Sequence, residues 1–220
     1  MPLWSDTNIM EIKQFTFSPF QENTYVAYTD HLEAMIINPG CYTTAEENQL
    51  RAFIESNGLK VVHLVNTHLH LDHAFGNSFV EETWSVLTSA HVEDAFWLKE
   101  MAGQCRMFGL ELHKPAPMIS NELHEGNQIR VGAETFEVLH VPGHSPGSIV
   151  MYNAKEHFLF AGDVLFDGSI GRTDLQGGNY SQLIKGIQEK LLVLPDETVV
   201  YPGHGPATTI GKEKATNPFL

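Results

Sequence analysis

The stretch VNTHLHLDHAFGN, residues 65–77, places four side chains that can bind a cation within six positions. They are His68, His70, Asp72 and His73. Residues two apart in an extended chain lie on the same side, so the imidazoles of His68 and His70 can converge on one ion. Asp72 and His73 follow where the chain turns towards a helix, and they can face a second ion beside the first.

Each candidate side chain lies just beyond the end of an apolar strand. The run KVVHLVNTH, residues 60–68, predicts a buried strand that ends in the first histidine of the cluster. Three later runs, VLHVPGH, FLFAGD and VVYPGH, deliver His144, Asp163 and His204. A single histidine is more often a surface or core residue than a ligand. The cluster together with three further strand ends therefore favours a metal site.

Seven candidate ligands exceed the number that one tetrahedral ion can use, so the sequence predicts two divalent ions with coordination positions left for water. Imidazole and carboxylate suit zinc, manganese or iron, and no thiolate set demands a closed zinc centre. We expect zinc, with iron or manganese as the alternatives.

The composition limits the partners of the protein. With a formal net charge of −14, its surface repels phosphate backbones and anionic lipids, which argues against nucleic-acid and membrane partners. The 220 residues suit a single domain spanning 1–220, with the first eight or so residues disordered. No secretion signal is recognisable. Cys41 and Cys105 could pair, but two cysteines indicate no disulfide framework, so we expect a reducing cytoplasm.

Strand groups alternate with helices along the chain, which predicts an α/β fold. Strands are predicted at 11–20, 23–30, 33–40, 60–68, 84–89, 148–153, 157–163 and 197–205, with further short strands between 118 and 144. Helices are predicted at 43–58, 90–103 and 180–194. Thr43 or Thr44 can cap the first helix, and Ser89 can cap the second. The order repeats loosely, which indicates two similar halves that form two facing sheets with helices outside.

The segments HLHLDH, HVPGHSPGS, FAGDVLF and YPGHGP occur in the order found in the metallo-β-lactamase superfamily, which the chain resembles over nearly its whole length. The resemblance implies an αββα sandwich of two mixed β-sheets flanked by helices, with the metals at one edge between the sheets. It also implies a first metal held by His68, His70 and His144, a second held by Asp72, His73 and His204, and Asp163 as the bridge.

Within that superfamily the chain resembles glyoxalase II hydrolases, through SPFQENTYV, GRTDLQGG and YPGHGPATTIGKEKATNPFL. It resembles a short form, without the C-terminal helical region that supplies glutathione contacts. The likeness implies hydrolysis of a small-molecule thioester such as an S-2-hydroxyacylglutathione. Water bridging two ions is acidic enough to supply hydroxide near neutral pH, and Asp72 can steer its proton. Arg172, Phe166 and Tyr180 are expected to border the substrate.

One departure from the family pattern concerns the end of an early strand. The family often has aspartate before the Pro-Gly there, whereas IINPG has Asn38. Thr67, His140 and Ser145 are candidates for supporting the metal ligands. We expect the remaining histidines to have no convergent partners, namely His31, His63, His91, His113, His124 and His157.

Two alternatives remain open at this point. Persulfide dioxygenases of the same superfamily share the GRTD stretch and use a single iron, for which His68, His144 and Asp163 would be the ligands here. The complete second ligand set favours hydrolysis over this alternative. The chain could also be a non-catalytic protein that keeps metals for stability. A nuclease is disfavoured because the chain is acidic and shows no basic stripe.

Overall fold

The computed structural model describes residues 10–220. The expectation that the first eight or so residues are disordered therefore lies outside the described residues. Two six-stranded sheets dominate the fold.

The first sheet contains the six strands of the N-terminal half in sequential order. They are β1 Glu11–Phe17, β2 Glu22–Tyr28, β3 Glu33–Ile37, β4 Lys60–Val65, β5 Thr88–Ala90 and β6 Asn121–Glu122. The pairs from β1 to β3 are antiparallel, whereas β3, β4, β5 and β6 pair in parallel. The sheet is therefore mixed, and the parallel strand β4 points its end at the candidate site.

The second sheet has the order β14-β13-β10-β9-β8-β7. Its strands are β7 Gln128–Val131, β8 Glu134–His140, β9 Ile149–Asn153, β10 Phe158–Gly162, β13 Val199–Pro202 and β14 Thr208–Thr209. The pair of β10 and β13 is parallel, and the other pairs are antiparallel. A small hairpin is formed by β11 Leu165–Phe166 and β12 Ser169–Ile170.

The helices lie outside the two sheets. They are α1 Thr44–Ser56, α2 Leu71–Ala74, α3 Asn77–Trp84, α4 Ala95–Met107, α5 Tyr180–Gly186 and α6 Ile210–Thr216, with a 3₁₀ turn at Val92–Asp94 and a π turn at Ile187–Leu191. Thr43 caps α1 through a capping box with Glu46, which confirms the predicted start of this helix. Within residues 10–220, no helix is both long and apolar enough to cross a bilayer.

The fold has four layers, helices, sheet, sheet and helices, and an apolar cluster lies between each pair of neighbouring layers. Met35 and Ile37 of the first sheet pack against Phe136 and Phe160 of the second, in the interior between the sheets. The outer face of the first sheet is covered by α1 and α3, and that of the second by α5 and the π turn. This arrangement confirms the predicted fold class, an α/β sandwich of two mixed sheets flanked by helices. Because both faces of each sheet are covered, successive residues of a strand are buried on one face or the other, which accounts for the near-continuous apolar runs in the sequence.

The region between 84 and 95 differs from the prediction. Residues 84–89 were expected to form a strand, but Trp84 ends α3 and the strand is Thr88–Ala90. Ser89 was expected to cap the next helix, but it pairs with Val65 in the sheet. Because the backbone of Ser89 is paired in the sheet, the helix cannot begin there, and α4 begins at Ala95 after the 3₁₀ turn. Both cysteines are free and buried.

Candidate metal centre

The seven predicted ligand residues converge at one edge of the sandwich, where strands of both sheets end. His68 and His70 follow β4, Asp72 and His73 lie in α2, His144 follows β8, Asp163 follows β10, and His204 follows β13. The parallel strands β10 and β13 end side by side, which brings Asp163 near His204. The four strand ends therefore deliver ligand-type atoms to one place.

The first group consists of His68, His70 and His144. The Nε2 atom of His144 lies 3.3 Å from Nε2 of His68 and 2.9 Å from Nδ1 of His70. A tetrahedral zinc ion with Zn–N bonds of about 2.0–2.1 Å holds its nitrogen ligands roughly 3.3 Å apart. The Nδ1 atom of His144 hydrogen-bonds to the backbone carbonyl of Arg172 at 2.8 Å, which leaves Nε2 free as an electron-pair donor.

The second group consists of Asp72, His73 and His204. Asp72 Oδ2 lies 3.3 Å from Nε2 of His204 and 3.7 Å from Nε2 of His73. Asp163 lies between the two groups, since Oδ1 is 3.4 Å from His73 Nε2 and Oδ2 is 3.5 Å from both His144 and His204. One carboxylate can therefore contact ions held by both groups.

The protonation states of the first group and of Asp163 favour cation binding, whereas that of His204 opposes it. Burial lowers the pKa of His68 well below its ordinary value and lowers the pKa of His70 to about 3, so both rings are neutral. Burial raises the pKa of Asp163, but the neighbouring imidazole of His73 outweighs this effect and holds it well below its usual range. Burial likewise lowers the pKa of His204, yet its hydrogen bond to Asp72 raises it to about 9. An ion bound by the second group would therefore have to displace a proton from His204.

Unsatisfied buried atoms test whether this donor set fits a metal. Neither His73 Nε2 nor Asp163 Oδ1 has a hydrogen-bond partner, although both are buried and only 3.4 Å apart. Leaving such groups unpaired costs free energy, so unpaired groups that face one another require an explanation. A divalent ion explains them, and imidazole with carboxylate suits zinc, iron or manganese. The residues present fit a pair of such ions.

The glycine of the last PGH segment is dictated by close packing at the site. A Cβ atom on Gly203 would lie 2.2 Å from Oδ1 of Asp163 and 2.7 Å from Cε1 of His73. Any larger residue would displace two of the seven side chains. The turn that delivers His204 is therefore fixed by the carboxylate and imidazole beside it.

Asn38 supports the first group through Thr67. Its Nδ2 donates to Thr67 Oγ1 at 2.8 Å, and its Oδ1 accepts from the Thr67 backbone N–H at 2.8 Å. Asn38 has a φ of +49°, a left-handed conformation that asparagine tolerates better than most residues. These two bonds fix the backbone directly before His68, so asparagine provides support at this position.

Glu22 is a buried carboxylate that the sequence analysis did not single out. It lies at the start of β2, its Oε2 accepts from Thr24 Oγ1 at 2.8 Å, and its Oε1 is 3.6 Å from His73 Nδ1. Neither Oε1 nor that nitrogen has another partner. Carboxylates in this position orient metal-binding imidazoles. The signal in the sequence that could have identified Glu22 is an acidic residue at the start of an otherwise buried strand.

Glu22→Gln is expected to weaken binding of the second ion by about 10–100-fold while leaving the first ion in place. Burial raises the pKa of Glu22 well above its ordinary value, and a cation on His73 would favour the ionised carboxylate, which an amide cannot provide. Competition with a chelator of known affinity measures both steps. Glu213→Gln is a matched control, because Glu213 is equally buried and accepts hydrogen bonds from Gly168 and Thr208 outside the site. Unchanged affinity for both ions in Glu22→Gln would contradict this role.

A second unpredicted carboxylate, Asp94, connects the two loops that carry the first group. Its Oδ2 accepts from the Leu69 backbone N–H at 2.9 Å, and its Oδ1 accepts from Ser145 Oγ and the Gly147 N–H, both at 2.6 Å. Ser145 Oγ also accepts from Trp97 Nε1 at 2.9 Å. The support expected from Ser145 therefore passes through Asp94.

The expectation that His91 has no convergent partners was wrong. The ring of His91 stacks on His140, with centroids 4.0 Å apart and planes 13° apart, and His124 lies 5.5 Å from His91. The side chains of His91, Glu93 and His140 form another group of ligand-type atoms. Imidazole lone pairs lie in the ring plane, so two nearly parallel rings do not point at a common position. In this arrangement His91 and His140 form a stacked pair of rings and not a set of ligands for one ion.

A cavity of about 530 Å³ opens onto five of the seven side chains, namely His70, Asp72, His144, Asp163 and His204. Arg172 lines it, but its guanidinium is paired with Asp174. The other two expected substrate contacts are not among the side chains found to line this cavity within residues 10–220. Phe166 lies with its ring 6.4 Å from that of His204, and Tyr180 is half exposed at the start of α5.

Comparison with known proteins identifies relatives along nearly the whole chain. The family model described as the Metallo-beta-lactamase superfamily matches residues 17–204. The hydroxyacylglutathione hydrolase GloC of Haemophilus influenzae is 37% identical over 218 residues, covering 96% of this chain and 98% of that protein.

Two solved structures are similar in both sequence and fold. The B3 metallo-beta-lactamase BLEG-1 is 41% identical with a TM-score of 0.86, over 96% of this chain and 99% of that one. TTHA1623, solved in a di-iron-bound form, is 36% identical with a TM-score of 0.84, over 94% of this chain and 100% of that one.

Proposed function

Since this chain belongs to the metallo-beta-lactamase superfamily, we propose that it is a metal-dependent hydrolase that cleaves thioesters, of the glyoxalase II type. The observation that carries the proposal is the convergence of seven ligand-type side chains, five of which line a cavity large enough for a small molecule. The similarity to GloC supports a thioester as the substrate. The proposed setting is the cytoplasm, which free cysteines suit.

The residues have distinct roles in this proposal. The first group, His68, His70 and His144, holds one ion, the second group, Asp72, His73 and His204, holds the other, and Asp163 is shared. Two such ions polarise a carbonyl and lower the pKa of water from about 15.7 towards 7. We expect zinc, and the di-iron form of TTHA1623 keeps iron as an alternative.

Asp72 is the side chain proposed to handle the proton of the attacking water. It lines the cavity, and the imidazoles of His73 and His204 lower its pKa despite its burial, so it is ionised and can accept or orient a proton. The thiol of the leaving group has an ordinary pKa of about 8.5. Its thiolate is therefore stable enough to leave without a proton donor. Chemistry at this site therefore requires no separate general acid.

The test combines metal analysis with assays on one preparation. We expect close to two metal ions per chain in protein purified without added metal. We also expect thiol release from S-D-lactoylglutathione or other thioesters, and its loss after chelation. A chromogenic cephalosporin and a persulfide complete the panel.

The other results identify the alternatives. Cephalosporin opening without thiol release would indicate a β-lactamase, which the likeness to BLEG-1 makes a specific rival. Oxygen uptake with a persulfide, at one iron per chain, would indicate a dioxygenase. No turnover of any compound by fully loaded protein would indicate a metal-binding protein without catalysis.

A further inference from the structure

The walls of the cavity above the metal centre are mainly apolar. Its apolar lining comes from the β1–β2 loop, α2, α4 and the segment before α5, namely Phe20, Leu71, Trp97, Met107, Phe108 and Leu175. Gln104 and Gln176 add uncharged polar groups. Apolar walls with a few polar groups are typical of sites for small apolar ligands.

The apolar surface continues to the mouth of the cavity. Met107 and Phe108 are 84% and 53% exposed at the end of α4, although both are large apolar side chains. The ring of Phe108 packs edge-on against that of Phe20, with centroids 5.2 Å apart. Exposed apolar side chains next to a cavity mark a binding surface. A ligand that reaches the ions must pass along this wall.

The side chains of the cavity wall, apart from the metal centre, offer little positive charge to an anionic ligand. Of the side chains that line it within residues 10–220, Arg172 is the one permanent cation. Its Nε and Nη2 donate to Asp174 Oδ1 and Oδ2 at 2.7 and 2.8 Å, a bidentate pair that uses two of its five N–H donors and balances its charge. Glu100 adds a carboxylate to the same wall. Glutathione carries two carboxylates, and this lining offers them no unpaired guanidinium.

We propose that the substrate is an uncharged thioester with an apolar acyl chain, and that Asp174 disfavours glutathione thioesters by occupying Arg172; this inference rests on the proposed thioesterase function. The acyl chain lies along Phe20, Met107 and Phe108, and the thioester carbonyl reaches the metal centre. In this proposal the Arg172–Asp174 pair in the cavity wall, and not the metal ions, distinguishes uncharged thioesters from anionic ones.

Four esters test the inference: hexanoyl and lactoyl groups, each on glutathione and on the neutral thiol N-acetylcysteamine. We expect kcat/KM for the hexanoyl ester of N-acetylcysteamine to exceed that for S-D-lactoylglutathione by about tenfold or more. Higher kcat/KM for glutathione esters with either acyl group would overturn the inference. Calorimetric binding of the stable thioethers S-hexyl-N-acetylcysteamine and S-hexylglutathione tests the same preference without turnover.

Variants assign the effect to residues. Phe108→Ser should lower kcat/KM for the hexanoyl ester of N-acetylcysteamine by about tenfold and that for the lactoyl ester by less, because the shorter, polar lactoyl group buries less apolar surface against this half-exposed ring. Met118→Ser, which removes an exposed apolar side chain away from the cavity lining, is the matched control. Asp174→Asn should raise kcat/KM for glutathione esters by freeing Arg172, and no rise would exclude the role of Asp174.

Failure of the inference and failure of the proposed function give different results. If no thioester is hydrolysed by metal-loaded protein, the thioesterase function fails, and the thioether binding still decides whether the cavity prefers apolar, uncharged ligands. If thioesters are hydrolysed but S-hexylglutathione binds more tightly than its N-acetylcysteamine counterpart, the function holds and the inference fails.

Discussion

Thioester hydrolysis is expected to fall by about 10³-fold or more when His70 is replaced by alanine, because metal polarisation and water activation contribute several kcal/mol. The Nδ1 atom of His70 lies 2.9 Å from His144 Nε2, so the variant removes one of three converging nitrogens of the first group. We expect the two remaining imidazoles to hold an ion too weakly for it to survive purification. Metal content should therefore fall together with turnover.

Mass spectrometry of metals and thiol-release kinetics measure both quantities on one sample. His31→Ala is the matched control, since its side chain is 70% exposed and lies near Asp30 rather than the site. A His70→Ala protein with full activity would show that the first group is assigned wrongly. The same variant distinguishes hydrolysis from the persulfide dioxygenase alternative, because the single iron of that alternative would be held by His68, His144 and Asp163 and would not need His70. Retained iron and retained oxygen uptake would favour that alternative.

The convergence of the candidate ligands could be anticipated because it depends on local features. Apolar runs end at predictable positions, and the ends of buried strands meet at one edge of a sandwich. His68 and His70 illustrate this, since their spacing places both rings on the same side of the chain after β4. The fold class followed from the same strand pattern and from the family resemblance.

The supporting residues could not be anticipated, because their roles arise from contacts between distant segments. Glu22 contacts His73 across 51 positions of sequence only after β2 packs beside α2. Ser89 looked like a helix cap, but pairing with Val65 in the sheet outweighs its local preference. His91 and His140 become neighbours for the same reason, since the turn after β5 meets the end of β8.

Asp94→Ala is expected to lower the free energy of unfolding by about 3 kcal/mol, because it leaves buried donors without an acceptor. The Leu69 and Gly147 backbone N–H groups and the Ser145 hydroxyl lose their shared carboxylate. These donors lie in the loops that carry His70 and His144. The variant should therefore also weaken binding of the first ion by about tenfold or more, as loss of a supporting group does.

Urea unfolding of chelator-treated protein measures the stability change in Asp94→Ala, and chelator competition measures the affinity for each ion. Glu213→Ala separates a structural from a positioning role, because Glu213 is also a buried carboxylate with three hydrogen-bond donors, Gly168, Thr208 and Asn217. Both variants should lose stability, but only Asp94→Ala should lose affinity for the first ion. Equal affinities in the two variants would reduce Asp94 to a fold-stabilising residue. A selective loss would show that one carboxylate sets the separation of the His70 and His144 loops and thereby the geometry of the first group.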